Sequence, residues 1–531
     1  MAVGGVGTAL LGPGGAGLPL GVAVLLAVVA GAVLGQLVAL AASRLDGAYL
    51  GLATWALAWL VYRALLAFPE VFGGAQGLVR TAPAHLVSPL LGTDLVLTPQ
   101  VHVVLAGLFC ATSIAVLVRL DRGPAGSDLL ALRQGPEVAA GLGIPVAARR
   151  RAVLTATASV GALSGAGTFV LLGLVAPADV SPLLSLQLFV AVLIGGAASW
   201  WGPVVGVALL TGLPLAVDVL PVDTERLSGL LTAGLLIAVL LVRRALRHPS
   251  KARPQRAAVI AQPPVARASA WRPALLSAEN VSVRFGPVHA LKGVGLVLRG
   301  GQVHALIGPN GSGKTTLLRV LSGDLPSASG VVTVGGRPLA AQGGPAARVR
   351  AGVVRTPQRT STLRTTVTRQ VAIGRRGGSR PHYAVLRHLL ATPDAARAER
   401  RGAHVVRAAL DCTDLRTVAD VDATTLTVAE QRRVQVARAV ATGAEVLLLD
   451  EPAAGMSASE RADFAHVLRR LAGNGCAVLL VEHDMRLVSE VADRVTVLAE
   501  GRVIATGSPT AVQSDPEVRR AYLGSSTRRP V

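Results

Sequence analysis

Long apolar runs with few or no charged residues dominate the first half of the chain. They cover residues 18–43, about 47–68, 97–118, 152–177, 180–217 and 227–242. A helix needs about 20 apolar residues to cross a hydrocarbon core of about 30 Å. The glycines at 195–196 and the sequence SWWGP at 199–203 favour two spans within the run 180–217. The pattern therefore predicts a polytopic all-α membrane domain with about seven transmembrane helices.

A different pattern begins near residue 275. Short apolar runs such as VHALIGP (303–309), EVLLLDEP (445–452) and AVLLVEHD (477–484) alternate with longer helical stretches. This alternation predicts an α/β domain with a mostly parallel sheet and its chemistry at the carboxyl ends of the strands. Residues 248–274 are rich in Pro, Ala and Arg without periodicity, which is typical of a linker. We thus expect a membrane domain over 1–247, the linker 248–274 and a soluble domain over 275–531.

The distribution of charge predicts the topology. The net charge of +21 would suit a nucleic-acid binder, but no stacking or groove-reading motif accompanies it, so we expect no nucleic-acid partner. Residues 119–151 hold six Arg against three acids, whereas 69–96 hold only Arg80 as a basic residue. Basic loops stay in the cytosol. We therefore expect a multi-pass protein of the cell membrane with its soluble domain in the cytosol, in contact with membrane lipid.

The sequence GPNGSGKTT, at the junction of a predicted strand and helix, satisfies the phosphate-loop pattern G-x-x-x-x-G-K-[ST]. Its backbone N–H groups and the helix amino terminus would bind phosphate oxygens, Lys314 would reach the β- and γ-phosphates, and Thr315 would ligate Mg²⁺. The predicted phosphate-binding residues are Gly308, Pro309, Asn310, Gly311, Ser312, Gly313, Lys314, Thr315 and Thr316.

Five further positions complete a predicted site for hydrolysis of ATP with Mg²⁺. Asp450, at the end of the apolar strand VLLLD, is expected in the Mg²⁺ shell, and Glu451 is expected to polarise the attacking water. His483 follows the next strand and could contact the γ-phosphate, while Gln358 could bind the metal or a water. Phe285 could stack on adenine or, with comparable weight, face the core as a strand residue.

Taken in order, these motifs and the segment TLTVAEQRR (425–433) resemble an ABC transporter ATPase over about 275–525. LDEPAAGM (449–456), VEHDMRLV (481–488) and GSPTAVQSDPEVRRAYLG (507–524) resemble the ATP-binding subunit of branched-chain amino-acid importers, and 389–410 resembles its helical subdomain. The soluble domain is therefore expected to be an ABC ATPase domain.

The first half resembles the permease of the same importers in the segments 43–61 and 71–78. Residues 132–146 are similar to the cytoplasmic loop that contacts the ATPase, which implies coupling roles for Arg133 and Glu137. The permease half starts partway into the family's usual subunit, so further helices are expected from upstream sequence or from a partner.

The resemblance implies a permease fused to its ATPase that imports branched-chain amino acids across the cytoplasmic membrane by hydrolysing ATP. It also implies three partners: a second permease, a second ATPase subunit and an extracytoplasmic solute-binding protein. Two alternatives stay open on the sequence: an importer of another small solute, such as other hydrophobic amino acids, amides or urea, and, with less support, an exporter.

The segment Leu426–Glu430, called the signature below, departs from the family pattern. In the family this segment reads Leu-Ser-Gly-Gly-Gln, and the segment acts on ATP bound by the opposite ATPase domain. The residues here are Leu426, Thr427, Val428, Ala429 and Glu430. Thr427 keeps a hydroxyl, but the Cβ of Ala429 is expected to hold a nucleotide further away or to demand an unfavourable φ. The hypothesis is an asymmetric pair, in which the site of this chain hydrolyses ATP and the partner's site mainly binds it.

Overall fold

The computed structural model describes residues 1–42, 48–79, 85–87, 94–96, 99–196, 201–217, 275–340, 343–357, 362–376 and 392–523. The chain divides into two compact units. Of the described residues, 1–119 and 147–217 belong to the first unit, and 120–146 and 275–523 belong to the second. The predicted span 227–242 and the predicted linker 248–274 lie outside the described residues.

Apolar helices make up most of the first unit. In chain order the first helices are α1 (Ala2–Leu11), α2 (Leu20–Ala42), α3 (Ala48–Ala67), α4 (Pro69–Phe72), α5 (Pro99–Arg122), α6 (Pro124–Gln134), α7 (Pro136–Gly141), α8 (Val146–Leu172), α9 (Pro182–Gly195) and α10 (Gly202–Val217), of which α6 and α7 belong to the second unit. Among the described residues, α2, α3, α5 and α8 are long and apolar enough to cross a membrane. Helices α9 and α10 divide the apolar run 180–217 where its glycines predict a break.

Small residues bring α2 and α8 close together. A Cβ added at Gly31 would lie 2.4 Å from the Cβ of Ala162, and one at Gly35 would lie 2.4 Å from the Cβ of Ala158. Helices in a membrane gain stability from such close contact, because apolar burial alone does not drive their association there. Two short antiparallel pairs complete the described part of this unit: β1 (Leu78–Val79) with β4 (Leu174–Val175), and β2 (His85–Val87) with β3 (Asp94–Val96).

Two sheets form the centre of the second unit. Their strands are β5 (Leu275–Phe285), β6 (Val288–Arg299), β7 (Val303–Ile307), β8 (Ser329–Val334), β9 (Arg337–Pro338), β10 (Val353–Arg355), β11 (Val446–Asp450), β12 (Ala477–Val481), β13 (Arg494–Ala499) and β14 (Arg502–Gly507). The larger sheet has the order β10-β11-β12-β7-β13-β14, and only β14 runs antiparallel to its neighbour. The smaller sheet is antiparallel, in the order β6-β5-β8-β9.

The apolar runs of the sequence fall on the central strands of the larger sheet. Every residue of β7, β11 and β12 is buried, which explains why these runs lack the alternation of a half-exposed strand. The predicted mostly parallel α/β sheet is confirmed.

Helices surround both sheets. In chain order they are α11 (Lys314–Leu321), α12 (Gly344–Arg350), α13 (Val367–Ala372), α14 (Pro393–Cys412), α15 (Val428–Val440), α16 (Ala458–Gly473), α17 (Met485–Val491), α18 (Pro509–Ser514) and α19 (Pro516–Leu523). The segment expected to form a helical subdomain falls on α14, which packs against α13 and α15.

A buried histidine lies in the strand that leads into the phosphate loop. His304 of β7 contacts Thr496 of β13, with 2.8 Å between Nε2 and Oγ1, and the hydroxyls of Thr496 and Thr506 are 3.1 Å apart. Burial, with the charge of Arg494, lowers the pKa of His304 from 6.5 to about 4. The imidazole is therefore neutral in the folded protein at pH 7.

Acid is expected to destabilise the second unit through His304. In the unfolded chain His304 binds a proton below about pH 6.5, whereas in the folded chain it binds one only below about pH 4. The free energy of unfolding therefore falls as the pH drops from 6.5 to 4, by roughly 3 kcal/mol in total. Thermal melting of the purified protein between pH 7 and 4.5 should show a weaker pH dependence for His304→Gln than for the wild type. The exposed control His466→Gln should behave as the wild type, and an equal pH dependence in all three would contradict the assignment.

Candidate ATP site

The phosphate loop connects β7 to α11. Gly308, Gly311 and Gly313 have φ angles of 152°, 79° and 104°, a region that residues with a Cβ rarely adopt. A Cβ at Gly308 would also lie 2.0 Å from the carbonyl oxygen of Leu498. The loop can therefore only close with glycine, and it leaves a cradle of backbone N–H groups at the amino terminus of α11, which fits a polyphosphate.

Lys314 lies across this loop. Its ammonium donates hydrogen bonds to the carbonyl oxygens of Gly308 and Pro309, at 2.7 and 2.9 Å. Burial lowers the pKa of Lys314, and the carboxylates of Glu451 and Asp450 oppose this shift. The structure thus brings Lys314 close to two acids that lie more than a hundred residues further along the chain and that were predicted to act in the same site.

The two predicted acids follow one another at the end of β11. Asp450 is 2% exposed. Glu451 has a φ of 45°, in the left-handed region, and its N–H donates to the carbonyl of Val481 at 3.0 Å. Such a conformation costs on the order of 1 kcal/mol or more, and it persists only where the surroundings impose it. The chain therefore turns sharply at Glu451, immediately after the sheet edge.

The predicted donor set suits Mg²⁺. Mg²⁺ in nucleotide sites uses one or two carboxylates and the phosphates themselves. Asp450 offers one buried carboxylate, and the exposed Thr315 in the first turn of α11 offers a hydroxyl. Within the described ranges, no group of three or more His, Cys, Asp or Glu side chains could hold a metal by itself.

Arg355 is a member of this site that the sequence motifs did not identify. Its guanidinium donates to Oδ2 of Asp450 at 2.9 Å and to Oδ2 of Asp324 at 3.1 Å. Asp324 accepts a further bond from the hydroxyl of Ser322 at 2.7 Å. Arg355 ends β10, the parallel neighbour of β11, so its place beside Asp450 follows from strand order, which the sequence does not reveal.

Three predicted residues of the site remain, namely His483, Phe285 and Gln358. His483 follows β12, and its side chain is 69% exposed. Phe285 ends β5 with 47% of its surface exposed, so it does not face the core, which was one of the two expectations for it. Gln358 lies outside the described residues.

The signature forms the start of α15 and is held by its own hydrogen bonds. The hydroxyl of Thr427 accepts from the N–H of Glu430 at 3.2 Å, and the Glu430 carboxylate accepts from the N–H of Thr427 at 2.9 Å, as in a capping box. Glu460 of α16 accepts hydrogen bonds from the N–H and the hydroxyl of Ser457, both at 2.9 Å, and these bonds lower its pKa. The Thr427 hydroxyl thus caps its own helix by accepting the Glu430 N–H.

Ala429 differs from the sequence-based expectation. It has a helical backbone, so no unfavourable φ arises, and it is 2% exposed. Its methyl group is therefore packed inside the protein. Glu430 places a carboxylate at the amino terminus of the helix.

The segment Leu120–Val146, called the coupling segment below, contains α6 and α7. Helix α7 packs on α12 of the second unit, and side chains of the segment bond to α13 and α15. Ala131, Val138, Ala139, Leu142 and Ile144 form one apolar cluster with Ile373. Arg133 and Glu137, the residues expected to act in coupling, are both exposed.

Gln134 and Asp121, not Arg133 or Glu137, make the polar contacts of the coupling segment described next. Gln134 donates to the side chain of Gln370 and accepts from the guanidinium of Arg438. Asp121 forms an ion pair with Arg369. Arg438 is fully buried, and desolvation lowers its pKa to about 10. Gln134 therefore satisfies a buried cation of α15, which makes it the central polar residue of this contact.

The buried pair of Arg355 and Asp450 leads to a stability prediction. Arg355→Gln leaves the Asp450 carboxylate without its cation and should cost about 3 kcal/mol, because a buried charge that loses its partner is strongly destabilising. Thermal melting of the purified protein should show a lower Tm for Arg355→Gln. Arg337→Gln, an exposed control in β9, should be nearly neutral. Adding Asp450→Asn to Arg355→Gln should recover part of the loss. Equal Tm values for Arg355→Gln and Arg337→Gln would refute the pairing of Arg355 with Asp450.

Comparison with protein families agrees with both halves of the chain. Residues 1–240 match the family described as branched-chain amino acid transport system / permease component, residues 291–454 match ABC transporter, and residues 502–526 match branched-chain amino acid ATP-binding cassette transporter.

Curated relatives match the second half. BraF of Pseudomonas aeruginosa, a high-affinity branched-chain amino acid transport ATP-binding protein, is 33% identical over 255 residues, which cover 48% of this chain and 98% of BraF. LivG of Escherichia coli, which carries the same description, is 34% identical with the same coverage. A crystal structure of an ATP-binding cassette of an ABC transporter in its ADP conformation is 30% identical, with a TM-score of 0.41, over 47% of this chain and 99% of that one. The chain therefore belongs to the branched-chain amino acid ABC transporter family and joins a permease component and an ATP-binding protein of that family in one polypeptide.

Proposed function

We propose that this chain is the fused permease and ATPase component of an importer that carries branched-chain amino acids across the cytoplasmic membrane. The contact of the coupling segment with α13 and α15 carries the proposal. In the sequence this segment joins α5 and α8, two helices of membrane length. A movement of α13 or α15 during ATP hydrolysis would therefore act directly on the residues that connect these helices.

ATP hydrolysis is assigned to the residues at the sheet edge. Lys314 and the N–H groups of the phosphate loop bind and orient the phosphates, Glu451 polarises the attacking water, and His483 contacts the γ-phosphate. Mg²⁺, when held by Thr315 and Asp450, supplies neutralising charge for the phosphates. Gln358 is assigned to the metal or a water, and Phe285 to the adenine ring.

The ATPase fold and the single permease half imply further subunits. A second permease and a second ATPase subunit would complete two ATP sites and one translocation path, and an extracytoplasmic solute-binding protein would deliver the substrate. The basic segment 119–151 supports a cytosolic position for the ATPase, because such loops are retained on that side.

The signature supports an asymmetric pair of ATP sites. The Glu430 carboxylate accepts the Thr427 N–H and occupies the helix terminus that would otherwise attract a phosphate. The partner's site, which uses this signature, is assigned mainly to binding. The site built on Lys314 and Glu451 is assigned to turnover.

Substrate uptake tests the proposed function. Cells that carry the gene should accumulate labelled leucine, isoleucine and valine faster than cells without it, and Glu451→Gln should abolish the difference, because the attacking water loses its base. The panel should include other hydrophobic amino acids, amides and urea. Uptake of one of these in place of the branched-chain amino acids would overturn the substrate assignment, and ATP-dependent efflux would overturn import.

The signature yields a separate prediction for ATP turnover by the purified assembly. Glu430→Gln keeps the capping box but removes the charge, so turnover should rise about twofold to fivefold. Ala429→Gly should change it less, because the methyl group is buried. Glu517→Gln, the same substitution in the first turn of α19, serves as the control. Turnover of Glu430→Gln that is no higher than the control would remove the asymmetry.

A further inference from the structure

Glu482 is a buried carboxylate to which the proposed chemistry gives no role. It follows the last residue of β12, and 2% of its surface is exposed. Burial raises the pKa of Glu482, and hydrogen bonds from two backbone N–H groups oppose this shift. A buried carboxylate is costly unless it is hydrogen-bonded, so its bonds indicate what it holds in place.

The two carboxylate oxygens bond to different loops. Oε1 accepts the N–H of Ala453 at 2.9 Å, in the turn that follows β11. Oε2 accepts the N–H of His483 at 3.3 Å, in the loop that follows β12, and lies 3.9 Å from Nδ1 of the same residue. Glu482 thus ties the main chain after Glu451 to the main chain of His483.

Both loops lie close to residues of α15. A Cβ added at Gly455, in the turn after Glu451, would lie 4.0 Å from Cγ1 of Val428 in the signature. Arg432, one turn further along α15, interacts electrostatically with Glu482 and with Asp450. The Glu482 carboxylate therefore lies where the two loops and the signature helix meet.

We propose that Glu482 is a positioning residue for ATP hydrolysis, whose carboxylate fixes His483 relative to the turn that carries Glu451. Glu482 does not touch the phosphates in this role. The imidazole of His483 is 69% exposed, so its position depends on the main chain to which Glu482 bonds. The inference rests on the proposed role of His483 at the γ-phosphate.

Two substitutions separate the two bonds in the purified assembly. Glu482→Gln has nearly the same shape and keeps an acceptor for the Ala453 N–H, but its amide nitrogen cannot accept from His483. We expect kcat to fall about tenfold with KM for ATP unchanged, since the phosphate loop is untouched. Glu482→Ala loses both bonds and should reduce kcat further. Glu490→Gln, an exposed position in α17, is the matched control and should retain wild-type kcat.

A double variant tests whether Glu482 acts through His483. His483→Ala should reduce kcat, and Glu482→Gln should cause little further loss in that background. A normal kcat for Glu482→Gln, or a fall in kcat accompanied by a rise in KM, would overturn the proposal, the latter because it indicates a general loss of structure. A normal kcat for His483→Ala would instead refute the proposed role of His483, on which this inference depends, and would be visible without any Glu482 variant.

Discussion

Parallel pairing of β10, β11, β12 and β7 is the constraint on which the candidate site depends. These four strands are adjacent in the larger sheet and run in the same direction, so their carboxyl ends lie along one edge. The apolar residues of β7, β11 and β12 are buried and cannot carry chemistry. The polar residues predicted to act in the site therefore lie at or after the ends of these strands, where the backbone leaves the sheet.

The polar groups at this edge must also satisfy one another. Asp450 and Glu482 are both almost completely buried. Arg355 compensates Asp450 through a direct ion pair, and Arg432 contributes charge to both acids. Glu482 instead takes two backbone N–H donors, which uses the carboxylate to hold two loops. The bonds that make the burial of Glu482 tolerable thus also link the loops that follow β11 and β12.

The contact between the coupling segment and the rest of the second unit also includes a buried charge with a hydrogen-bond partner. Arg438 is buried in the second unit and is bonded by Gln134, an uncharged residue. Apolar residues of the same segment form a cluster with Ile373. A neutral amide can meet a buried guanidinium without adding a second buried charge, whereas the exposed Arg133 and Glu137 remain in contact with solvent. The physical content of the contact is therefore apolar packing together with a few polar bonds, of which the bond of Gln134 with Arg438 meets a buried charge.

The sequence by itself determined the apolar helices, the parallel sheet, the phosphate loop and the two acids after β11, because each depends on a local pattern: unbroken hydrophobicity, glycines at fixed spacing, or charge directly after a buried strand. Only the tertiary structure decided that Arg355 bonds Asp450, that Gln134 bonds Arg438 and that Glu482 spans two loops. It also decided that Ala429 is packed inside and that Glu430 caps the signature helix. These outcomes depend on which strands and helices become neighbours, and residues as far apart as 134 and 438 become neighbours only when the chain folds.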